Sequence, residues 1–296
     1  MDNYIAISKN KVKRMLINSH LDKLIKLWKR KNADTFIISF PKCGRTWLRL
    51  MLSRSIIQHF DFSIYEGDRK VLEPGELSKL NSSVPKIRFI HDDDAFFKSP
   101  EELCIFKSDY QYKKVLFLIR DPRDVVVSSF FHKKYRFNFL PKDKSKLAFA
   151  SYEGELSKFI SEPIGSLKTL IAYYNIWANN RHVPIDFMLL RYEDIYYNTI
   201  SSLRSTLNFM GLKTISDEIV EEAVNYASFE NMRKMEENNL FKSSKLKPTN
   251  PSDNNTYKTR KGKVGGFREN LNEESILYVN EQVKEYLSSF YSFYYY

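Results

Sequence analysis

Three times along this chain a short apolar, strand-like run is followed by apolar positions spaced three and four apart. The first run is Thr35-Phe36-Ile37-Ile38-Ser39-Phe40, ended by Pro41; Leu48, Met51, Leu52 and Ser55 then mark one face of a helix predicted over Trp47 to Ile57. The second, Val115 to Ile119, is unbroken enough to be buried on both faces, and Asp121-Pro122 after it opens a helix with Val125, Val126 and Ser129 as its stripe. The third, Phe187 to Leu190, precedes a helix through Leu203, Leu207 and Met210 that Gly211 ends. Lys86 to Ile90 adds a strand, and Leu167 to Ala178, Glu218 to Tyr226 and Glu273 to Leu287 read as helices. Parallel strands need crossover connections, which helices supply, so the alternation predicts an α/β fold with a central parallel β-sheet flanked by helices.

No internal repeat or linker divides residues 1–296, so a single domain is expected; 43% hydrophobic and 15% aromatic residues suffice for its core. Three segments fall outside the pattern. Residues 9–31 carry nine Lys and Arg against one Asp, with Val12, Met15, Leu21, Leu24, Ile25 and Trp28 at helical spacing, so 1–33 is read as a basic amphipathic N-terminal helix. Residues 132–165 mix Lys, Gly, Pro and scattered aromatics and are expected to form a variable lid or insertion; residues 242–262 have the composition of a mobile loop.

The formal net charge of +11 favours an anionic partner without choosing among nucleotide, nucleic acid and acidic lipid. The two cysteines, Cys43 and Cys104, lack the paired spacing of a zinc site or disulfide framework and suit a reducing compartment. With no signal-peptide pattern and no long apolar run, the expectation is a cytoplasmic protein without a transmembrane segment.

Ser39-Phe40-Pro41-Lys42-Cys43-Gly44-Arg45-Thr46-Trp47 lies where a strand hands over to a helix, a place where unpaired backbone amides and the helix dipole favour phosphate. Gly44 permits close backbone approach, Lys42 and Arg45 add positive charge, and Thr46 offers a hydroxyl. The triphosphatase pattern GxxxxGK[ST] is absent, because the lysine here precedes the glycine. The string FPKCGRTWLRL resembles the 5′-phosphosulfate loop of the sulfotransferase family, usually PKSGTTW or PKSGRTW. Ile119-Arg120-Asp121-Pro122-Arg123-Asp124 through Ser128 is similar to that family's 3′-phosphate element, with Arg120 and Ser128 at the matching spacing. Arg260-Lys261-Gly262-Lys263-Val264-Gly265-Gly266-Phe267 is similar to its RKGxxGDW signature, and the three matches occur in family order. Tyr192 in RYED, Ser228-Phe229 in ASFENM and Trp47 resemble positions that contact the nucleotide, where aromatic faces suit a purine.

The resemblance implies a P-loop-kinase-like fold and transfer of a sulfuryl group from 3′-phosphoadenosine 5′-phosphosulfate (PAPS) to a hydroxyl or amine of a small metabolite or carbohydrate, with no metal. It implies cofactor contacts at Lys42, Cys43, Gly44, Arg45, Thr46, Trp47, Arg120, Ser128, Tyr192, Ser228, Phe229, Arg260, Lys261 and Gly262. It also implies that His91, after the strand Lys86 to Ile90, is the general base, and that Lys42 stabilises charge on the bridging oxygen. The acidic run Asp92-Asp93-Asp94 is expected to raise the proton affinity of His91 where it comes close. Departures are Cys43 for the usual serine, expected to be an acidic thiol at a helix N-terminus, Ala227 for a common threonine, and no KxxxTVxxxE dimer motif, which leaves the oligomeric state open. A nucleotide or small-molecule kinase and a basic nucleic-acid-binding module are the competing readings, the first weakened by the missing glycine-lysine order and the second by the lack of a reading motif.

Overall fold

A computed structural model describes residues 32–137 and 151–296. The basic segment 9–31 and Phe139 lie outside the described residues. Four strands, β1 (Thr35–Ile38), β2 (Ile87–Ile90), β3 (Lys114–Ile119) and β4 (Asp186–Arg191), form one sheet in the order β2-β1-β3-β4, every pairing parallel. The α/β architecture read from the sequence is therefore the one observed. The register sets Ile38 beside both Ile90 and Phe117, and Ile119 beside Arg191, so the carboxyl ends of all four strands open at one edge. β1 and β3 are neighbours whose connections leave in opposite directions. That makes the crevice between them a topological switch point, the place where open α/β sheets bind ligands.

Helices cover the sheet. α1 (Arg45–His59) follows β1, α2 (Pro122–Tyr135) follows β3, and α3 (Leu167–Asn179) leads to β4. After β4 come α4 (Tyr192–Tyr197), α5 (Thr199–Phe209), α6 (Asp217–Tyr226), α7 (Phe229–Glu237) and α8 (Glu273–Tyr286). α1 is buried through Leu48, Leu50, Met51, Leu52 and Ile56 because it packs on α6 as well as towards the sheet. Under β3, Phe117 stacks on Trp177 of α3 with centroids 5.4 Å apart, and burying such a ring contributes about 1.5–3 kcal/mol. Pro122 at the first turn and the Asp121 carboxylate, which accepts from the Arg123 amide, start α2 immediately after the strand.

One boundary needs correction. His132 to Tyr135, expected in the lid, continue α2, and a helical turn at Leu156–Phe159 follows residues 138–150, which lie outside the described residues. The lid reading rested on a mixed composition, whereas the last turn of α2 is held by packing that periodicity over so few residues does not reveal; Lys133, for example, is buried over Phe96 and Phe159. Residues 242–262 form a loop with 3₁₀ turns at Ser244–Leu246 and Asn254–Thr256. Among the described residues no helix is long and apolar enough to cross a membrane.

Candidate active site

The chain turns out of β1 through Lys42, at φ 77°, and Gly44, at φ 90°. No side chain caps α1, so its first amides remain directed at a cavity of about 430 Å³ beyond the strand ends. A β-carbon on Gly44 would lie 2.5 Å from the Tyr192 ring, so both the backbone angle and the space require glycine here. Lys42, Arg45 and Thr46 line the cavity, and the Lys42 side chain has no hydrogen-bond or ion-pair partner among the described residues.

The end of β3 supplies the second wall. Arg120 lies over the Tyr192 ring at 4.3 Å, donates to the Lys263 carbonyl at 2.7 Å and pairs with Asp124 at 3.3 Å, while its buried Nε has no hydrogen-bond partner among the described residues. Ser128, one turn beyond Asp124, lines the same cavity. Asp124 reaches across 143 residues of sequence: its carboxylate accepts from the Phe267 amide at 2.9 Å and from the Gly265 amide at 2.8 Å. The 260–267 segment is thereby clamped over Arg120. Arg260 lies over the Phe131 ring at 3.6 Å and faces the cavity. Lys261 pairs with Glu269 at 2.9 Å.

Tyr192, the first residue after β4, touches all three segments. Its ring covers Gly44 and packs edge-on against Trp47 at 5.7 Å, Arg120 stacks on it, and its hydroxyl donates to the Gly262 carbonyl at 3.3 Å. Phe229 packs on Gly262, where a β-carbon would meet the ring at 2.6 Å. Trp47, Tyr192 and Phe229 thus form the aromatic side of the cavity. Ser228 behaves otherwise: its hydroxyl caps α7 by accepting from the Asn231 amide at 3.3 Å, and it does not line the cavity.

His91 stands at the end of β2. Its Nδ1 donates to the Ser39 carbonyl at 2.8 Å, which leaves Nε2 as the lone-pair nitrogen, and Nη2 of Arg45 donates to that nitrogen at 2.5 Å. Burial, then the Arg45 charge, hold the imidazole well below its usual pKa. The acidic run does not raise it as expected: two of its carboxylates are spent elsewhere, and Asp94 is exposed. Asp92 accepts from Tyr110 at 2.6 Å and pairs with Lys107 at 2.7 Å, and Asp93 binds Lys98 and the Cys104 amide. Lys42 is pulled down to about 7, first by burial and next by Arg136.

Cys43 overturns a second expectation. Its side chain points away from the cavity and hydrogen-bonds the Tyr174 hydroxyl at 3.3 Å, while Tyr174 donates to the Arg120 carbonyl at 2.9 Å and accepts from the Arg120 amide at 3.0 Å. The cysteine therefore ties the first segment to the second. Burial pushes its thiol up to about 12, outweighing the helix N-terminus that was expected to acidify it. A thiol-reactive dye on the native protein should therefore modify exposed Cys104 alone, with Cys43 reacting only after denaturation. Fast labelling of both in the native state would show that Cys43 is open to solvent.

Three residues at the site carried no sequence signal of their own. Asp124 lies inside the second motif, where nothing in the sequence distinguished it from Asp121; it is buried. His132 lines the cavity from α2, its ring against Phe96 and Phe137, although its place at the start of the segment read as a lid gave no reason to prefer it over the other histidines. Lys258 lines the cavity from just before the third segment, in a stretch read as loop. A basic residue two positions before Arg260 was the signal available, and loop composition hid it.

The sulfotransferase-domain family model matches residues 32–290. Among curated proteins, cytosolic sulfotransferase 17 of Arabidopsis thaliana is 26% identical, with 88% of this chain and 76% of that protein covered. Sulfotransferase 6B1 of Mus musculus is 26% identical, with 87% and 77% covered. Among solved structures, retinol dehydratase in complex with androsterone and the inactive cofactor PAP superposes with a TM-score of 0.56 at 19% identity, covering 86% of this chain and 81% of that one. The fold is thus the P-loop-kinase-like one that the resemblance implied.

Proposed function

Because the chain belongs to the sulfotransferase family, we propose that it transfers a sulfuryl group from PAPS to the hydroxyl or amine of a small acceptor, releasing 3′-phosphoadenosine 5′-phosphate (PAP). The observation that carries this reading is the junction at Tyr192, where the loop of β1, Arg120 and Gly262 meet around one cavity. The residues fit a nucleotide with phosphate at both ends. Uncapped amides of α1, Lys42 and Thr46 suit the 5′ side; Arg120, with its unpartnered buried Nε, Ser128 and Arg260 suit a 3′-phosphate; Trp47, Tyr192 and Phe229 suit the base. PAPS supplies an activated sulfuryl group, so an S–O bond to an acceptor hydroxyl, or an S–N bond to an acceptor amine, forms as the S–O bond to the phosphate breaks.

The protein's own part is positioning and charge. His91, held in the Nδ1–H tautomer by Ser39, takes the acceptor proton on Nε2, and Lys42 balances the charge left on the departing phosphate oxygen. The names of curated relatives, cytosolic sulfotransferases among them, support a cytosolic setting.

Calorimetry with PAP, AMP and ATP tests the reading without an acceptor. PAP should bind best, and Arg260→Ala should weaken PAP by about tenfold or more through lost charge-assisted hydrogen bonds. Equal affinity for AMP or ATP would remove the case for PAPS and favour a kinase. The PAP affinity should also depend on pH. Free Lys42 sits near pH 7, lowered by burial, Arg136, Arg120 and Arg260 and raised by Glu236, and bound phosphates raise it further. Below pH 7 it is charged in both states. Above pH 7 binding must take up a proton, so affinity should fall by about tenfold per unit until the bound pKa is reached. Lys42→Met should flatten that slope; an unchanged slope would move its origin to another group.

A further inference from the structure

The cavity holds more positive charge at its His91 end than the proposed nucleotide accounts for, and this inference rests on the PAPS reading above. Arg45 and Lys258 line it there, and the charge of Arg136 also acts on Lys258. Glu236, fully buried, is already committed: it pairs with Arg136 at 3.1 Å and accepts from the Lys258 amide at 2.7 Å, the Thr259 amide at 3.0 Å and the Thr259 hydroxyl at 2.8 Å. Nothing comparable among the described residues balances Arg45 and Lys258. The Lys258 ammonium donates to a backbone carbonyl, that of Lys245, and no carboxylate of the described residues pairs with it. Among the described residues, Nη1 of Arg45 is buried without a hydrogen-bond partner, and so is Nδ1 of His132, which lines the same cavity. Crowded cations deprived of water disfavour one another: burial, then Lys42, Arg136 and Arg45, hold Lys258 well below the usual lysine range. Such an arrangement is completed by an anion.

Arg45 makes the point sharper. Its second nitrogen donates into Nε2 of His91, the nitrogen that would take the acceptor proton. While that hydrogen bond stands, the lone pair is occupied and the base is masked. A neutral acceptor offers the guanidinium no better partner. An acidic group in the acceptor would.

We propose that the acceptor is a hydroxyl compound bearing a second, anionic group, a carboxylate or phosphate, which pairs with Arg45 and Lys258 and frees Nε2 of His91 for its hydroxyl. Arg45 and Lys258 then set acceptor specificity, Arg45 also acting as a positioning residue through His91.

Matched pairs of acceptors test this with PAPS as donor: 4-hydroxybenzoate against its methyl ester, and glucuronate and glucose 6-phosphate against glucose, the last two acids separating carboxylate from phosphate. PAP binding is measured first on the same preparation, so that failure of the nucleotide reading shows itself separately. On PAP-competent protein the better acid should exceed its neutral partner by about tenfold or more in kcat/KM, as charge-assisted contacts at two cations allow. Lys258→Met should erase that ratio chiefly through KM, and raised salt should shrink it in the wild type, where no variant's folding is at issue. Neutral partners handled as well as or better than the acids, or no binding of any acid to PAP-loaded protein, would overturn the proposal.

Discussion

Replacing His91 by alanine should lower kcat for sulfuryl transfer about 10²–10⁴-fold, the usual worth of a positioned general base. PAP affinity should change much less than kcat, because His91 contacts the Ser39 carbonyl and the Arg45 guanidinium and has no hydrogen bond to Lys42, Thr46, Arg120, Ser128 or Arg260. The pH profile carries a second signature. Burial and Arg45 keep the imidazole neutral, so the wild-type rate should lack an acid limb near pH 6.5; protonation of His91 limits turnover only well below that value. His91→Ala with near-wild-type kcat would remove it from the chemistry, and His132, which lines the same cavity, would be the residue to replace next. An acid limb at pH 6.5 that disappears in the variant would keep His91 as base but show that Arg45 does not hold it neutral in the working complex.

Asp124→Ala should destabilise the protein by about 3–5 kcal/mol, the usual cost of removing one member of a buried ion pair. The variant strands Arg120 and leaves the Gly265 and Phe267 amides without acceptors. The functional loss should exceed the structural one, since the 260–267 segment would no longer be clamped over Arg120. Chemical denaturation and PAP calorimetry on the same samples separate the two effects. Asp124→Asn, which keeps an acceptor oxygen but not the charge, should fall between wild type and alanine in both. If Asp124→Ala unfolds at the wild-type denaturant concentration and binds PAP normally, the clamp does not govern the site.

Much of the architecture was legible because its signals are local. The all-apolar run Val115 to Ile119 is read as a doubly buried strand from a few residues, and β3 begins one residue earlier, at Lys114, and ends where expected. Helix α1 begins two residues before its predicted start because Arg45 and Thr46 carry no apolar signal. Candidate site residues at handovers from strand to helix were legible for the same reason. Lys42, Gly44 and Arg120 sit where chain direction changes, and the cavity opens there. Reading failed where a residue's role depends on a partner far along the chain. Cys43 looked like an acidic thiol until Tyr174 buried it, and Asp92 and Asp93 looked like neighbours of His91 until Lys107, Tyr110 and Lys98 claimed them.

The sequence by itself determined which segments become strands and helices, that their alternation calls for a parallel sheet, and where three anion-suited turns lie. Hydrophobic period and turn chemistry act over a few residues and can be read there. Only the tertiary structure decided that β1 and β3 lie side by side, that Asp124 meets Phe267 and Gly265, and that Lys258 and His132 join Arg45 and His91 in one wall. Those meetings follow from strand order and register, and they fix which charges are buried together. Burial and proximity, rather than residue type, then set whether a histidine is a neutral base, a cysteine inert, or a lysine near neutrality.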